Sequence, residues 1–388
     1  DLDETAGVSP SICPFGPGAP DEDVISSSLY KGLPKHPFIG HHLNCYAGYV
    51  SSGNYRARGS SGGIGKWLLV QLLEKGMVDQ VIQVSATTSS PGGPLYRYVV
   101  CDSPDEIRAG AKSAYHPIEM SGVLEIIRNR DSRYAITGVP CFIKAIRLLQ
   151  RNDPLFRERV RYTLGIVCGH LKASAYADML AWQLEVPPGE LGAIEFREKL
   201  PGLPANHKGI RATNRNHTHE SEVKSVRSLF GGDYNLGFFQ YNACDFCDDV
   251  VGETADISIG DAWLPEYMSD PQGTSVMVVR NPEIASLLSA ARDEGELCLE
   301  EITADRVAKS QAGGLRQRRE GLAYRLHMVD TEGRWRPDKR VKPSQNHLSR
   351  KRRRVYELRR LISMRSHGAF KRAVELNDFS SFRQTMAP

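Results

Sequence analysis

The chain contains 388 residues, 40% of them hydrophobic, and carries a net charge of +4. A chain of this length can bury a substantial core and predicts two domains followed by an extension. It has no run of eighteen apolar residues, which excludes a membrane-spanning helix, and no secretory leader pattern, so we expect a cytoplasmic protein whose thiols are reduced or metal-bound.

The net charge is unevenly distributed along the chain. Residues 334–372 contain fifteen Lys or Arg and two acids, a net +13 against the chain total of +4, so the remaining residues carry −9. The sequence therefore predicts an acidic body with a basic tail. Such a tail can contact an anionic surface or another subunit, or it can dock onto its own acidic body.

The first informative element follows an N-terminal segment, residues 1–40. A glycine-serine loop, residues 59–63, leads into apolar residues at helical spacing from Ile64 to Leu73, with Gly76 as a natural stop. Small side chains at a helix start leave backbone N–H groups open to a phosphate or to the edge of a flavin. A simple tight turn is the alternative, because the loop has neither Walker nor dinucleotide-binding spacing.

Strand-like and helix-like segments alternate through the rest of the body. The predicted strands are 78–84, 134–137, 162–167, 255–261 and 274–280, and the predicted helices are 142–149, 173–184 and 283–294. This alternation predicts an α/β fold, a mainly parallel or mixed sheet flanked by helices, with a second α+β region. We place an α/β domain at 41–160, a C-terminal domain at 161–330 and a basic helical extension at 331–388.

Two cysteines each follow a predicted strand. Cys141 closes the sequence GVPC at a helix start, and Cys168 follows the next strand. Because neighbouring parallel strands end at the same edge of a sheet, we expect both thiols to face that edge. A helix start also favours thiolate, so a thiol enzyme with His170 or His116 as its base is an alternative.

A Cys-x-x-Cys pair lies further along the chain. The spacing of Cys244 and Cys247 lets two sulfurs face one metal centre. With Cys141 and Cys168 they form a candidate ligand set for a 4Fe-4S cluster. Zinc binding is an alternative for the pair, and a buried, metal-free thiol is the alternative for each cysteine taken alone.

The basic extension contains a predicted helix from Ser349 to Met364. Apolar residues including Leu358 and Leu361 occur at helical spacing, and the cationic run 350–354 lies on the other faces. No aromatic residues alternate with this run as they do in nucleic-acid-binding motifs. We therefore favour docking onto the body, or a solvated charge run, over nucleic-acid binding.

Four motifs occur together in one chain. They are the run from Cys244 to Asp261, the loop 59–63, the GVPC sequence and the run 273–275. Together they resemble the family of beta subunits of coenzyme F420 hydrogenases and dehydrogenases, which also contains chlorophyll-pathway reductases. The resemblance spans about residues 13–290, so the basic extension lies outside it.

The resemblance implies a flavoprotein oxidoreductase. It would carry FAD and a 4Fe-4S cluster, with coenzyme F420 or an organic substrate as two-electron acceptor and ferredoxin or another redox protein as donor. The implied cluster ligands are Cys141, Cys168, Cys244 and Cys247. The implied flavin site contains Ser60, Ser61, Gly62, Gly63, Lys112, Ser113, Tyr115 and Gly138. Candidate proton donors are His170, Tyr115 and His116. A homo-oligomer is compatible with this assignment.

The N-terminal segment departs from the family pattern. Many relatives carry C-x-x-C-x-x-x-C-P there, and this chain retains only the final element at Cys13, with Ala6 and Ser9 at the earlier positions. We therefore interpret residues 1–40 as the remnant of a ferredoxin-like region and predict one cluster. Two alternative functions remain, a non-catalytic electron-transfer subunit of a larger redox complex and a zinc-binding interaction module.

Overall fold

The computed structural model describes residues 12–87 and 93–387. Ala6 and Ser9 lie outside the described residues. The strands are β1 (Lys35–His36), β2 (Gly40–His41), β3 (Asn44–Val50), β4 (Gln80–Ala86), β5 (Tyr96–Cys101), β6 (Tyr134–Gly138), β7 (Val160–Ile166), β8 (Leu191–Lys199), β9 (Lys208–Asn214), β10 (Lys224–Ser225), β11 (Ile257–Asp261), β12 (Ser275–Val279) and β13 (Leu297–Glu301).

The helices alternate with these strands and then continue alone to the C-terminus. They are α1 (Glu22–Leu29), α2 (Tyr55–Arg58), α3 (Ile64–Glu74), α4 (Pro104–Ala109), α5 (Ser121–Asn129), α6 (Pro140–Asn152), α7 (Pro154–Arg159), α8 (Ser174–Trp182), α9 (Pro265–Met268), α10 (Pro282–Asp293), α11 (Ala304–Ser310), α12 (Ala312–Leu315), α13 (Gly321–Thr331), α14 (Arg350–Leu376) and α15 (Phe379–Met386).

An eight-stranded mixed sheet forms the centre of the molecule. Its strand order is β13-β3-β12-β11-β7-β6-β4-β5. The inner strands β11, β7, β6 and β4 are parallel, and the strands on both sides of them are antiparallel. This confirms the predicted α/β fold with a mixed sheet. Gly138 of β6 pairs with Gly165 of β7, so the chain leaves both strands at the same edge.

Helices cover the sheet because their apolar residues recur at helical spacing. On α3, Ile64, Leu68 and Leu72 are all buried and pack with strand residues such as Met277. The helix begins after Gly63, whose φ of 82° lies in the left-handed region that favours glycine. Helices α5 and α6 bury a separate apolar cluster against β6 and β7.

A second layer combines α8 with the antiparallel sheet β10-β9-β8 and the C-terminal helices. Phe370 of α14 and Phe382 of α15 are buried against Phe239 with ring centroids 5.5 and 6.0 Å away. The basic extension is therefore packed onto the body, and α14 runs to Leu376 rather than ending at the predicted Met364. In the described part of the chain, no helix combines the length and the apolar character that crossing a membrane requires.

Candidate functional site

The four candidate cysteines come from three loops at one edge of the large sheet. Cys141 is the second residue of α6, and Cys168 follows β7, with its backbone N–H donating to the Val250 oxygen at 2.9 Å. Cys244 lies in a short 3-10 turn, where its sulfur accepts a hydrogen bond from the Leu171 N–H at 3.2 Å. The turn ends at Cys247. The parallel pairing of β6 and β7 thus brings the first two cysteines to the Cys-x-x-Cys loop.

The four thiols form one cluster, in which Cys244 is buried and the other three cysteines are half-buried. Burial raises the pKa of Cys168 to about 12 and that of Cys247 to about 11. Burial also raises the pKa of Cys141 well above its usual value, and negative charge on each of the other three sulfurs raises it further. Across residues 12–87 and 93–387, no three His, Cys, Asp or Glu side chains converge on a single-ion site. The four sulfurs are therefore close enough to affect one another's ionisation.

One buried cation faces this cluster. Arg318, only 2% exposed, comes from a π-helical turn, Arg316–Glu320, a local geometry frequent at functional sites. Its guanidinium donates to the Cys244 carbonyl oxygen at 2.6 Å and to the carbonyl oxygen of Gly169. Its positive charge opposes the burial that raises the pKa of Cys168 and Cys247. Arg318 is therefore placed to stabilise thiolates, which are the form that binds metal.

The segment that leads into Cys244 is strained and held by α14. Phe239 has a φ of 53°, which is rare for an aromatic residue, and its N–H donates to the Ser366 hydroxyl at 2.9 Å. The Ser363 hydroxyl donates to the Gln240 backbone oxygen at 3.1 Å, and the side-chain amide of Gln240 donates to the Asp245 carboxylate at 2.8 Å. Backbone strain of this kind persists only where the surrounding structure imposes it.

A row of rings connects the thiol cluster with the neighbouring β-sheet. His170 stacks on Tyr234 with ring centroids 4.1 Å apart, and Tyr115 lies 4.9 Å from Tyr234. Burial lowers the pKa of His170 well below its usual value, and its Nε2 atom has no hydrogen-bond partner among the described residues. The structure therefore brings the predicted His170 and Tyr115 together. His116 instead lies 5.9 Å from the Tyr96 ring, and its Nδ1 pairs with the Pro117 oxygen at 3.0 Å.

The glycine-serine loop meets two other predicted segments. Its Ser60 hydroxyl accepts a hydrogen bond from the Ser113 N–H at 3.1 Å. The Gly62 N–H donates to the Ser275 hydroxyl at 3.1 Å, and a Cβ atom at Gly62 would lie 2.5 Å from the Gly48 carbonyl oxygen. Residues about 50 and 210 positions away in sequence thus fix the loop at the start of α3.

Three lysines surround this loop and bind backbone oxygens. Lys208 donates to the Ser60 oxygen at 3.0 Å, Lys199 to the Ser61 oxygen at 3.1 Å, and Lys66 to the Arg108 oxygen at 2.9 Å. Within the described ranges none of the three forms an ion pair with a carboxylate. Burial, followed by the charges of neighbouring cations, lowers the pKa of each lysine to about 8. A site with this excess of positive charge suits an anionic ligand.

An open cavity of about 370 Å³ adjoins the loop. Lys112 and Lys199 line it, together with Glu198 and Gln272. Lys112 differs from the other three lysines because it pairs with Glu195 at 3.2 Å. The predicted flavin residues Ser60 and Ser113 bond to each other and are not among the residues that line this cavity, and Gly138 lies at the end of β6 on the way to Cys141.

Two acids of the Cys244–Asp261 motif have structural partners. Asp256 forms an ion pair with Arg147 at 2.9 Å, and Asp261 binds the Arg197 guanidinium through both oxygens, at 2.7 and 2.9 Å. These contacts favour a structural role for both carboxylates over acid–base chemistry.

Sequence reasoning did not find the residues Lys199, Lys208, Arg318 and Tyr234. Lys199 ends β8 and Lys208 begins β9, so both come from an antiparallel sheet that was not predicted. Arg318 lies in a π-helical turn, which has no reliable pattern in a single sequence. Only Tyr234 carried a signal, as an aromatic residue bounded by glycines in a polar loop.

Two protein-family models match this chain. The C-terminal family model of the coenzyme F420 hydrogenase/dehydrogenase beta subunit matches residues 131–305, and the N-terminal model matches residues 45–125. The coenzyme F420 hydrogenase subunit beta of Methanosarcina barkeri is 23% identical over 67% of this chain and 82% of its own length. One of the subunits of the F(420)H(2) dehydrogenase of Methanosarcina mazei is 22% identical over 66% of this chain and 65% of its own length.

Two further relatives extend the comparison. An uncharacterized protein of Methanocaldococcus jannaschii is 25% identical over 65% of this chain, and the match spans 64% of that protein. A chain of the F420-reducing [NiFe] hydrogenase complex from Methanosarcina barkeri superposes with a TM-score of 0.57 at 17% identity. That superposition covers 81% of this chain and 99% of the other, and at this identity it shows a shared fold.

Proposed function

The chain belongs to the family of coenzyme F420 hydrogenase/dehydrogenase beta subunits, and we propose that it is an iron-sulfur flavoprotein oxidoreductase. It would pass electrons between a 4Fe-4S cluster, FAD and a two-electron acceptor, either a deazaflavin such as F420 or an organic substrate. The observation that carries the proposal is the single cluster of four thiols with Arg318 against it.

The thiol cluster supports a 4Fe-4S group. In such a cluster each of four thiolates binds a different iron. The structure brings four cysteines together, which is the number of ligands that a 4Fe-4S cluster uses. Cys141, Cys168, Cys244 and Cys247 would be the ligands. Arg318 would offset part of their negative charge.

The loop at the start of α3 supports the flavin assignment. Gly62 is packed so closely that any side chain would meet backbone, and three lysines that bind backbone oxygens surround the loop. The diphosphate of FAD would supply negative charge to balance them. When bound, FAD can take electrons singly from a cluster and deliver two of them as a hydride equivalent.

The row of aromatic rings lies between the thiol cluster and the segment that follows Ser113. Tyr234 contacts both His170 and Tyr115, and its hydroxyl is within 3.1 Å of the His170 N–H. These rings would exclude water from the space beside the thiols. Tyr115 is better placed as a proton donor than His116, because its ring lies 4.9 Å from that of Tyr234, whereas the His116 ring contacts Tyr96.

The first experiment is an anaerobic visible spectrum of the purified chain, with iron, sulfide, zinc and released flavin measured on the same sample. We expect flavin bands over a broad iron–sulfur shoulder, with about four irons per chain. A Lys199→Met/Lys208→Met double variant should retain its iron and lose flavin. A colourless protein that contains zinc and no flavin would contradict the proposal.

A non-catalytic electron-transfer subunit is the second candidate, because one similar structure is a chain of a hydrogenase complex. The two candidates differ in what the isolated chain does. If dithionite-reduced chain transfers electrons to F420 or to another two-electron acceptor, the chain is catalytic by itself. Reduction of its own chromophores without transfer to any acceptor would favour the second candidate.

A further inference from the structure

We propose that the outer face of α14, with the exposed residues before Cys244, is the docking surface for an acidic one-electron carrier protein. The proposal rests on the proposed function, since a carrier has a purpose only if the thiols hold a redox group. It concerns the basic extension, for which the family resemblance gives no role.

The outer face of α14 joins an apolar centre to cationic ends. Leu358, Leu361 and Met364 are 38%, 38% and 64% exposed. The exposed cations of the helix are Arg350, Lys351, Arg354, Arg365, Lys371 and Arg372. An apolar centre with a polar, charged rim is the usual anatomy of a protein–protein interface.

The orientation of the helix is fixed by its opposite face. Tyr356, Ser363, Phe370 and Ala373 are buried against the body, so the cationic face cannot turn inward. The acid in the middle of the helix, Glu357, is half-buried, accepts a hydrogen bond from the Tyr324 hydroxyl at 2.7 Å and forms an ion pair with Arg354 at 3.5 Å. With the exposed Glu375 it offsets only part of the six exposed cations, so the outer face keeps an excess of positive charge.

The inner face of α14 lies over the segment that leads to the thiols. Ser363 and Ser366 on that face hold the backbone of Gln240 and Phe239 at 3.1 and 2.9 Å. Residues 241–243, the next three positions, are all exposed, and they directly precede the buried Cys244. A partner that contacts both the outer face of α14 and residues 241–243 would lie beside a candidate cluster ligand.

The charge distribution favours an acidic protein as the occupant. The residues outside 334–372 carry a net −9, so they repel an acidic partner and leave the cationic helix as the attractive surface. The apolar centre formed by Leu358, Leu361 and Met364 is unlike the continuous cationic stripe that contacts nucleic-acid phosphates.

The test uses the full chain with an acidic 4Fe-4S ferredoxin as the probe. Arg354→Glu/Arg365→Glu reverses charge on the outer face, and Lys75→Glu/Arg151→Glu reverses two exposed cations elsewhere on the body. We expect the native chain to bind ferredoxin more weakly as salt increases. The α14 variant should bind about tenfold more weakly, and the control variant within about twofold of the native chain.

A kinetic readout separates docking from the redox function. Reduced ferredoxin should reduce the native chain and the control variant faster than the α14 variant, while dithionite should reduce all three equally. If dithionite fails to reduce any of them, the proposed function fails, and the binding assay still tests the surface. Ferredoxin binding that is absent, independent of salt or equally weakened by the control overturns the docking proposal. Preferential binding of anionic vesicles or duplex DNA by α14 overturns it as well.

Discussion

Burial and neighbouring cations disfavour the charged form of three lysines, Lys66, Lys199 and Lys208. Their pKa is about 8 in the fold, because of burial and then of neighbouring cations. The ordinary lysine pKa is about 10.4, so between these two pH values the unfolded chain binds more protons than the folded chain. The contribution of these lysines to the free energy of unfolding of flavin-free protein therefore rises with pH in this window.

This sign gives a testable pH dependence. In urea unfolding of flavin-free protein, the free energy of unfolding of the native chain relative to Lys208→Met should be greater at about pH 9.5 than at about pH 7.5, as the lysine loses its proton. A bound phosphate group would stabilise the charged lysines, so flavin affinity should fall over the same range. Lys208→Met should reduce this fall in affinity, while the exposed Lys75→Met should leave both pH profiles unchanged. Equal pH profiles for native protein and Lys208→Met would contradict the prediction.

Replacement of one thiol tests the cluster assignment. Cys247→Ser should lose most of the iron and sulfide and much of the folded yield, because three thiolates would face the cluster with one position unfilled. The matched control is Cys298→Ser, since Cys298 is exposed and lies on β13. Full iron and sulfide in Cys247→Ser, measured by chemical analysis of anaerobically purified protein, would remove Cys247 from the ligand set.

At the scale of elements, the loop before α3 is defined by close packing. A Cβ atom at Gly62 would meet the Gly48 carbonyl oxygen at 2.5 Å and the Ser275 nitrogen at 2.9 Å, and both are backbone atoms that cannot rotate away. The loop is thereby held against β3 and β12, which are neighbours in the sheet. Its shape consequently depends on strands far away in sequence.

Gly62→Ala should therefore displace the loop and weaken flavin binding at least tenfold, as measured by fluorescence titration of deflavinated protein. We expect a loss of stability as well, in the range of about 1–3 kcal/mol that overpacking costs. Gly122→Ala is the control, because a Cβ at Gly122 of α5 would meet no atom within 4 Å. If both variants bind flavin as the native chain does, the loop has no part in the flavin site.

At the scale of the whole molecule, the central strands could be predicted but their neighbours could not. Continuous apolar runs identify β6 and β7, and the rule for parallel strands then predicts that Cys141 and Cys168 share an edge. The pairing of β3 with β13 joins residues about 250 positions apart, and local periodicity contains no information about it. For the same reason, the sequence did not predict that the lysines of β8 and β9 lie beside the loop before α3.

The docking of the basic extension was only partly predictable. The apolar spacing predicts the helix of the extension. Among so many cations, however, the sequence does not indicate which ones form the buried ion pairs that fix the position of the extension. Lys339 forms an ion pair with Asp248 at 2.6 Å, with exposures of 3% and 0%. Arg340 contacts Asp248 and Asp23, each at 2.7 Å. Although burial opposes it, these two cations hold the pKa of Asp248 well below its usual range.

Arg340 therefore connects three separate parts of the chain, namely α1, the loop after Cys247 and the extension. Arg340→Met should lower the free energy of unfolding by about 3 kcal/mol, because it removes one of the two cations that contact each of the buried carboxylates Asp248 and Glu253. Arg354→Met is the matched control, since Arg354 is 67% exposed and its ion pair with Glu357 at 3.5 Å should contribute less than about 1 kcal/mol.

Denaturant unfolding of the two variants and the native chain measures this difference in stability. Iron analysis of the same samples shows whether the loss of Arg340 also affects cluster binding by the thiols. Because Asp248 directly follows Cys247, we expect the Arg340 variant to lose iron as well as stability. If the Arg340 variant loses stability but keeps its full iron content, the ion pairs of Arg340 contribute to folding and not to cluster binding. Equal stability of the two variants would mean that the extension is attached by its aromatic residues alone, of which Phe382, Tyr356 and Phe370 are the most deeply buried.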